Sequence, residues 1–246
     1  MSTNAPIYWY SEIDSTSEEA KRRARGGESG PVWIAARRQS AGRGRLGRKW
    51  SSPDGNVFAT LLFAPEGGLS HAGRVPFAAG LAVVDACKTL LPDVDFRLKW
   101  PNDVRVDRAK LTGILVESGE TNSIIWVALG IGINVAVAPD VGGQATTSLR
   151  DLGAHPALKS DDVLETLRTT VAKRLEQSRT SFAALLEDWK RVAEGFGEVV
   201  EAGPVNARIS GIFEDLAEDG GLILRLPDGT RQTIRAGDVD LVRAVS

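Results

Sequence analysis

The chain has little of what most often carries metal or nucleophilic chemistry: among 246 residues there are one cysteine and two histidines. Cys87 has no partner within the chain, which excludes a disulfide framework and implies a reducing compartment. Its mostly apolar flank, Leu81 to Ala86, reads as a buried core position. His71 and His155 sit singly in Gly- and Pro-containing loops, with no second ligand at metal spacing and no Ser-His-Asp arrangement. No apolar run approaches the roughly 18–20 residues that span a bilayer. Met1 to Pro6 lacks the charged and apolar regions of a signal peptide, so a cytoplasmic protein is expected. There is no charge excess either: 30 Lys plus Arg against 32 Asp plus Glu exclude a globally basic nucleic-acid coat, though not a local patch. Repeats, low-complexity tracts and a G-K-[ST] phosphate loop are also missing.

What is present is an ordinary globular composition, 42% hydrophobic and 25% charged, at a length that allows a large domain plus a small one. Strands are predicted at Ile7–Tyr10, Val32–Ala36 and Asn56–Phe63, and helices at Ser15–Arg25 and Val75–Leu91. Ser15 and Glu18 have capping-box spacing, and Lys21-Arg22-Arg23 suits a helix C-terminus before Gly26-Gly27. Between 96 and 135 short apolar runs are separated by tight turns, which favours hairpins and antiparallel pairing. Helices follow near 161–177 and 181–194. After Gly195 the pattern changes to short alternating segments parted by Glu218-Asp219-Gly220-Gly221 and Pro227-Asp228-Gly229, as in a small closed β-barrel. The expected fold is α+β: a mixed β-sheet flanked by helices over residues 1–196, then a β-module over 197–246.

The loudest segment is Gly42-Arg43-Gly44-Arg45-Leu46-Gly47-Arg48-Lys49-Trp50. It matches G-x-G-x-x-G, but no apolar helix opens there, so a dinucleotide site is rejected. From Ser29 to Pro53 no residue is acidic, while Arg37, Arg38, Arg43, Arg45, Arg48 and Lys49 are all basic. Glycines that free the backbone, beside guanidinium donors, suit a phosphate compound better than a bland solvated loop. Lys99-Trp100-Pro101-Asn102-Asp103 reads as a strand end and turn. Lys110 opens the apolar run Lys110-Leu111-Thr112-Gly113-Ile114-Leu115-Val116-Glu117, as either a snorkelling edge residue or a charge aimed into a pocket. In Gly130-Ile131-Gly132-Ile133-Asn134 the alternating glycines point to close approach of a ligand or backbone, or to an ordinary bulge. Asn134 could read an amide-like edge such as adenine.

These segments, with Asp14-Ser15-Thr16 before them and Gln39-Ser40-Ala41 leading into the loop, resemble the biotin protein ligases in order and spacing over nearly the whole chain. Ser17 stands where that family usually has Asn. The resemblance implies a class II synthetase-like catalytic fold with an SH3-like C-terminal barrel. It also implies two half-reactions: biotin and ATP, with Mg2+, give biotinyl-5′-AMP, and biotin then passes to a lysine of a biotin carboxyl carrier domain. By family match, Ser15, Thr16, Gln39, Gly42, Arg43, Gly44, Arg45, Lys110 and Gly113 would hold biotin. Arg43, Arg45, Arg48, Trp50, Asn102, Lys110 and Asn134 would hold the nucleotide. Lys110, Arg45 and Asp103 would carry the chemistry, Asp103 as a base or a turn residue; no protein ligand is assigned to the metal. Thirteen residues before Asp14 cannot form a DNA-binding domain, so the monofunctional type, without DNA or membrane partners, is expected. A homodimer is left open. A lipoate ligase or octanoyltransferase is the rival within the fold, disfavoured by the intact Gly-Arg-Gly-Arg and Lys-Trp-Pro-Asn-Asp segments. A nucleic-acid-binding module is the rival outside it, weakened by the tail from Glu201, where eight acidic residues face five basic ones.

Overall fold

The computed structural model describes residues 5–204, 206–235 and 237–241. Its first strand is β1 (Ile7–Ile13), followed by α1 (Thr16–Arg25), β2 (Val32–Gln39) and β3 (Val57–Phe63). Next come the short α2 (Gly68–Ala72), α3 (Val75–Leu90), β4 (Arg97–Lys99), β5 (Asp103–Val106), β6 (Ala109–Thr121) and β7 (Ile124–Ile133). Two further helices, α4 (Ser160–Thr180) and α5 (Phe182–Arg191), complete this part. The sheet has seven strands in the order β1-β2-β3-β7-β6-β5-β4. Only β1 and β2 run parallel, so the sheet is mixed, and the hairpins expected between 96 and 135 all form.

Strand β3 is buried at every residue because helices cover both faces of the sheet around it. On one face α1 lays Ala20 and Ala24, one turn apart, against Ile34, Leu62, Trp126 and Ala128. The other face holds the main core, where α3, α4 and α5 bring Leu81, Leu164 and Trp189 to Phe96, Leu98 and Leu129. Each such fully buried side chain contributes about 1.5–3 kcal/mol. Ser15 caps α1 from an extended backbone, its hydroxyl accepting from Glu18 N at 3.5 Å. Only half of the expected capping box forms. The Glu18 carboxylate turns to Lys21 and Arg43, and Ser15 N donates instead to Asp14 Oδ1 at 2.8 Å. Three elements run past their predicted ends: β1 extends to Ile13, β2 to Gln39, and α4 spans 160–180.

The C-terminal strands are β8 (Val199–Gly203), β9 (Ile209–Leu216), β10 (Leu222–Arg225), β11 (Arg231–Ile234) and β12 (Asp238–Leu241). They form an antiparallel sheet in the order β11-β10-β9-β8-β12, a small barrel-like module. Its apolar side, with Val200, Phe213, Leu222 and Leu224, is continuous with the main core. The module sits on the 99–103 turn. There the Trp100 indole donates to Gly220 O at 3.2 Å and Lys99 pairs with Asp240 at 2.7 Å. Gly220 lies so close to Phe77 that a Cβ on it would be 2.2 Å from the ring.

Candidate active site

Alternate residues of a strand share a face, so Gly130, Gly132 and Asn134, in and just past β7, form a line along one side of the sheet. That line floors a cleft of about 1120 Å³. At about 3.3 Å per residue, Gly130 and Asn134 lie roughly 13 Å apart, and the two ends differ in chemistry.

The Gly130 end is neutral. A Cβ on Gly130 would lie 2.6 Å from Ser17 Oγ, so the helix start presses onto the strand here. Thr60 donates to Thr16 Oγ1 at 2.9 Å, and Thr16 donates to Gln39 Oε1 through both N (2.8 Å) and Oγ1 (3.2 Å). Gln39 Nε2 reaches Ser52 Oγ at 3.1 Å. Because β2 continues to Gln39, a strand rather than the loop holds this carboxamide. The cluster is an uncharged relay of hydroxyls and one amide, with Thr16 and Thr60 buried and Gln39 and Ser52 half-buried.

The middle is an aromatic lid on a glycine floor. Gly113 of β6 pairs with Gly132 of β7, and a Cβ on either would meet the Trp50 ring at 2.6 Å. The close approach read from the alternating glycines is therefore made by side chains, Ser17 and Trp50, and β7 runs between its neighbours without a bulge. Trp50 belongs to a flap that folds as a small hairpin, with Trp50 N donating to Gly42 O (2.9 Å) and Gly44 N to Arg48 O (2.7 Å). Its tip, Arg45–Gly47, is one 3-10 turn with Leu46 at φ 55°.

The Asn134 end is charged. Lys110, at the start of β6, places Nζ 2.8 Å from Asp103 Oδ1 and 5.6 Å from the centre of the Trp50 ring. Both partners of this pair are largely buried, at 16% and 14% side-chain exposure. Arg45 donates to Asn102 Oδ1 at 2.9 Å and reaches Gly237 O at 3.5 Å, while Asn102 Nδ2 donates to Ile114 O at 2.6 Å. Both ends of Asn102 are thus engaged within the protein. Asn134 Nδ2 donates to Thr147 O at 3.0 Å, and its buried Oδ1 has no hydrogen-bond partner. Arg48 donates to Arg45 O at 3.3 Å.

Of the residues singled out in the sequence, Ser15, Thr16, Gln39, Gly42, Arg43, Gly44, Arg45, Arg48, Trp50, Asn102, Lys110, Gly113 and Asn134 all line the cleft, and Asp103 stands beside Lys110. Arg43 turns outward to Glu18. Ser17, noted in the sequence only as a departure from the family, also lines the site, and sequence reading passed over Thr60, which supports Thr16 and Ser17 from behind, and the 139–146 loop. Thr60 left a signal: a lone hydroxyl in the apolar run Val57-Phe58-Ala59-Thr60-Leu61-Leu62. The 139–146 loop left none, because only the fold brings it back, where Lys110 N donates to Ala145 O and Thr147 N to Lys110 O. Two carboxyls near the start of α1, outside the cleft lining, are held below their usual range. The Arg22 hydrogen bond lowers Asp14 to about 2. The Lys21 hydrogen bond, against the opposing effect of burial, lowers Glu18.

The chain is similar to known proteins of one family. Residues 11–134 match the model of the biotin/lipoate A/B protein ligase family, and residues 197–242 match that of the biotin protein ligase C terminal domain. The chain is 40% identical over 234 residues to a biotin–[acetyl-CoA-carboxylase] ligase of Paracoccus denitrificans, covering 92% of this chain and 96% of that one. It is 31% identical to the bifunctional ligase/repressor BirA of Escherichia coli (strain K12), over 93% of this chain and 72% of the other. In three dimensions it is similar to biotin protein ligase from Aquifex aeolicus in complex with biotin and ATP. The TM-score there is 0.80 at 29% identity, over 97% of this chain and 99% of that one.

Proposed function

The chain belongs to the biotin protein ligases of the biotin/lipoate A/B protein ligase family, and on that premise we propose that it joins biotin to a biotin carboxyl carrier domain at the expense of ATP. In the first step a biotin carboxylate oxygen attacks the α-phosphorus of ATP. The bond to the β-phosphate oxygen breaks, and pyrophosphate leaves. In the second step the amine of the acceptor lysine attacks the acyl carbon of biotinyl-5′-AMP, the C–O bond breaks, AMP leaves and the new amide loses a proton.

One observation carries this reading: a neutral hydroxyl–amide relay and a cationic cluster share one cleft floor. A cyclic urea is uncharged and needs donors and acceptors in a dry pocket, which Ser15, Thr16 and Gln39 supply. A carboxylate and a phosphate repel each other, and a cation between them lowers that barrier most where water is excluded. We assign that place to Lys110. Asp103 orients its ammonium, and Asn102 orients the Arg45 guanidinium toward the phosphates. Arg48 adds charge at the flap. Trp50 and the open acceptor of Asn134 fit an adenine, whose exocyclic amine donates.

Magnesium enters with ATP as part of the substrate. Among the described residues no group of three His, Cys, Asp or Glu side chains is placed to cage a metal. The acceptor lysine must react as the free amine, which at pH 7 costs about 4–5 kcal/mol from an ordinary pKa near 10.4. A positive cleft reduces that cost, and Asp103, beside Lys110, is our candidate to take the proton. We place the reaction in the cytoplasm, where ATP is supplied; no helix among the described residues is long and apolar enough to cross a membrane. The test is incubation with Mg-ATP, biotin and a carrier domain, followed by mass spectrometry of the carrier. The expected result is one biotinyl group on one lysine; an unmodified carrier, or lipoate accepted in place of biotin, overturns the reading.

A further inference from the structure

Behind the neutral end of the cleft runs a chain of four charges from three elements. Arg43 of the flap pairs with Glu18 of α1. Glu18 Oε1 also takes Lys21 Nζ at 2.8 Å, and the same ammonium takes Glu117 Oε1 of β6 at 2.8 Å. The signs alternate and cancel. Burial is deepest at Lys21: the Arg43 side chain is 48% exposed and that of Lys21 only 10%, with Glu18 and Glu117 between them. The inner pair is therefore a fixed anchor and the outer one a surface contact. Burial works against the charge of Lys21, and Glu117 and Glu18 more than offset it, so the amine is held above its usual range.

None of Glu18, Lys21 and Glu117 lines the cleft, and the chemistry above needs none of them. What they do reach is the flap. Its base is closed by the Trp50–Gly42 backbone bond, and the Arg45–Asn102 bond holds its tip. Arg43 lies on the strand between, bridged to Lys49. Its bond to Glu18 ties that strand to the helix whose first turn carries Ser15, Thr16 and Ser17.

We propose that Glu18 is a positioning residue: through Arg43 it holds the 42–50 flap against α1, with Lys21 and Glu117 anchoring it to the sheet, and so sets how long an activated acyl-adenylate stays in the cleft. The flap tether stands on geometry alone; the identity of the retained ligand rests on the ligase reading. A half-exposed ion pair is screened by salt, so retention in the wild type becomes salt-sensitive.

The test uses the full chain as wild type, Glu18→Gln, Arg43→Gln and the double variant, with Glu19→Gln as control. Glu19 lies on the same helix but pairs with Arg22 and Arg23, away from the flap. Amide hydrogen exchange of the ligand-free protein reads the tether: Gly44 and Trp50 are expected to exchange about three- to fivefold faster in either single variant. The double variant should be no faster, and Glu19→Gln unchanged. Retention of preformed biotinyl-5′-AMP reads the consequence: release is expected about three- to fivefold faster and no longer accelerated by salt. Equal exchange and equal retention in Glu18→Gln overturn the proposal. Should Glu18→Gln unfold, Arg43→Gln removes the same pair from the exposed side. A wild type that forms no acyl-adenylate refutes the ligase reading, while the exchange experiment still decides the tether.

Discussion

The two ends of the cleft floor solve opposite problems with opposite materials. At the Gly130 end, regular elements (α1, β2 and β3) present neutral groups that satisfy one another: Thr60 to Thr16, Thr16 to Gln39, Gln39 to Ser52. At the Asn134 end, turns and a strand start present charges whose partners hold them in place: Lys110 on Asp103 and Arg45 on Asn102. Neutral groups can be buried once their hydrogen bonds close, whereas a buried charge needs a counter-charge and gains its worth only when an anion arrives. The difference separates recognition from chemistry, and substitutions at the two ends should separate in the same way.

The largest separation is expected from Lys110→Ala. Loss of one preorganised cation should cost about 3–4 kcal/mol of transition-state stabilisation, a rate loss of roughly 10²–10³. Biotin affinity without ATP should change much less. Lys110→Arg should leave most of the loss in place, since a planar fork does not replace a point charge. Single-turnover adenylate formation, measured beside biotin binding, checks this; a normal rate in Lys110→Ala would remove Lys110 from the chemistry.

Gly132→Ala sharpens the contrast from the middle of the floor. The added Cβ would lie 2.6 Å from the Trp50 indole, so the ring must move, at about 1–3 kcal/mol of overpacking. Nucleotide affinity is expected to fall more than biotin affinity, with a change in tryptophan emission. Unchanged emission and unchanged nucleotide affinity would mean that Trp50 does not cover the floor in solution.

A smaller effect is expected from Thr60→Val at the neutral end. It removes the donor to Thr16 while keeping the shape of the side chain, costing about 1 kcal/mol. That loss should appear in biotin affinity, several-fold, with the adenylation rate at saturating biotin close to normal. Titration calorimetry and saturation kinetics separate the two; a slowed chemical step with normal affinity would contradict the division of labour.

The smallest effect is a pH dependence. Asp14, held at about 2 by Arg22, has a folded pKa below its unfolded one. Its pair therefore contributes stability that is complete above about pH 4 and is lost as pH falls toward 2. Both side chains are nearly half exposed, so screening limits the contribution to at most about 1 kcal/mol. Asp14→Asn should flatten that part of an acid-unfolding curve and leave neutral stability lower by the same small amount. An identical acid limb in the variant would show the pair to be idle in solution.

Much of this site was legible along the chain because its parts are local. Gly42 to Trp50 declares a cation-rich flap by lacking every acidic residue, and Lys110 stands out as a charge opening an apolar strand. Asp14-Ser15-Thr16 marks a helix start, since a cap favours a side-chain oxygen there. Glu18 was legible only as half of a capping box, because local spacing knows nothing of Arg43, 25 positions on, or of Glu117 beyond Lys21. Arg43, Arg45 and Arg48 look equivalent in sequence. The fold divides them, sending Arg43 to Glu18 and Arg45 to Asn102.

By itself, then, the sequence determined the order of strands and helices, the mixed sheet with its β-rich tail, and the residue types at each station of the cleft. The elements follow from periodicity, turn chemistry and capping, which act over a few neighbours, whereas the stations of the cleft were read from the resemblance to the biotin protein ligases. The tertiary structure alone decided that Trp50 lies on Gly113 and Gly132, that Thr60 joins Thr16, and that the tail docks on the Lys99–Asp103 turn beside the site. Each joins residues from 44 to 141 positions apart, brought together by burial of a shared core rather than by any preference of the local chain.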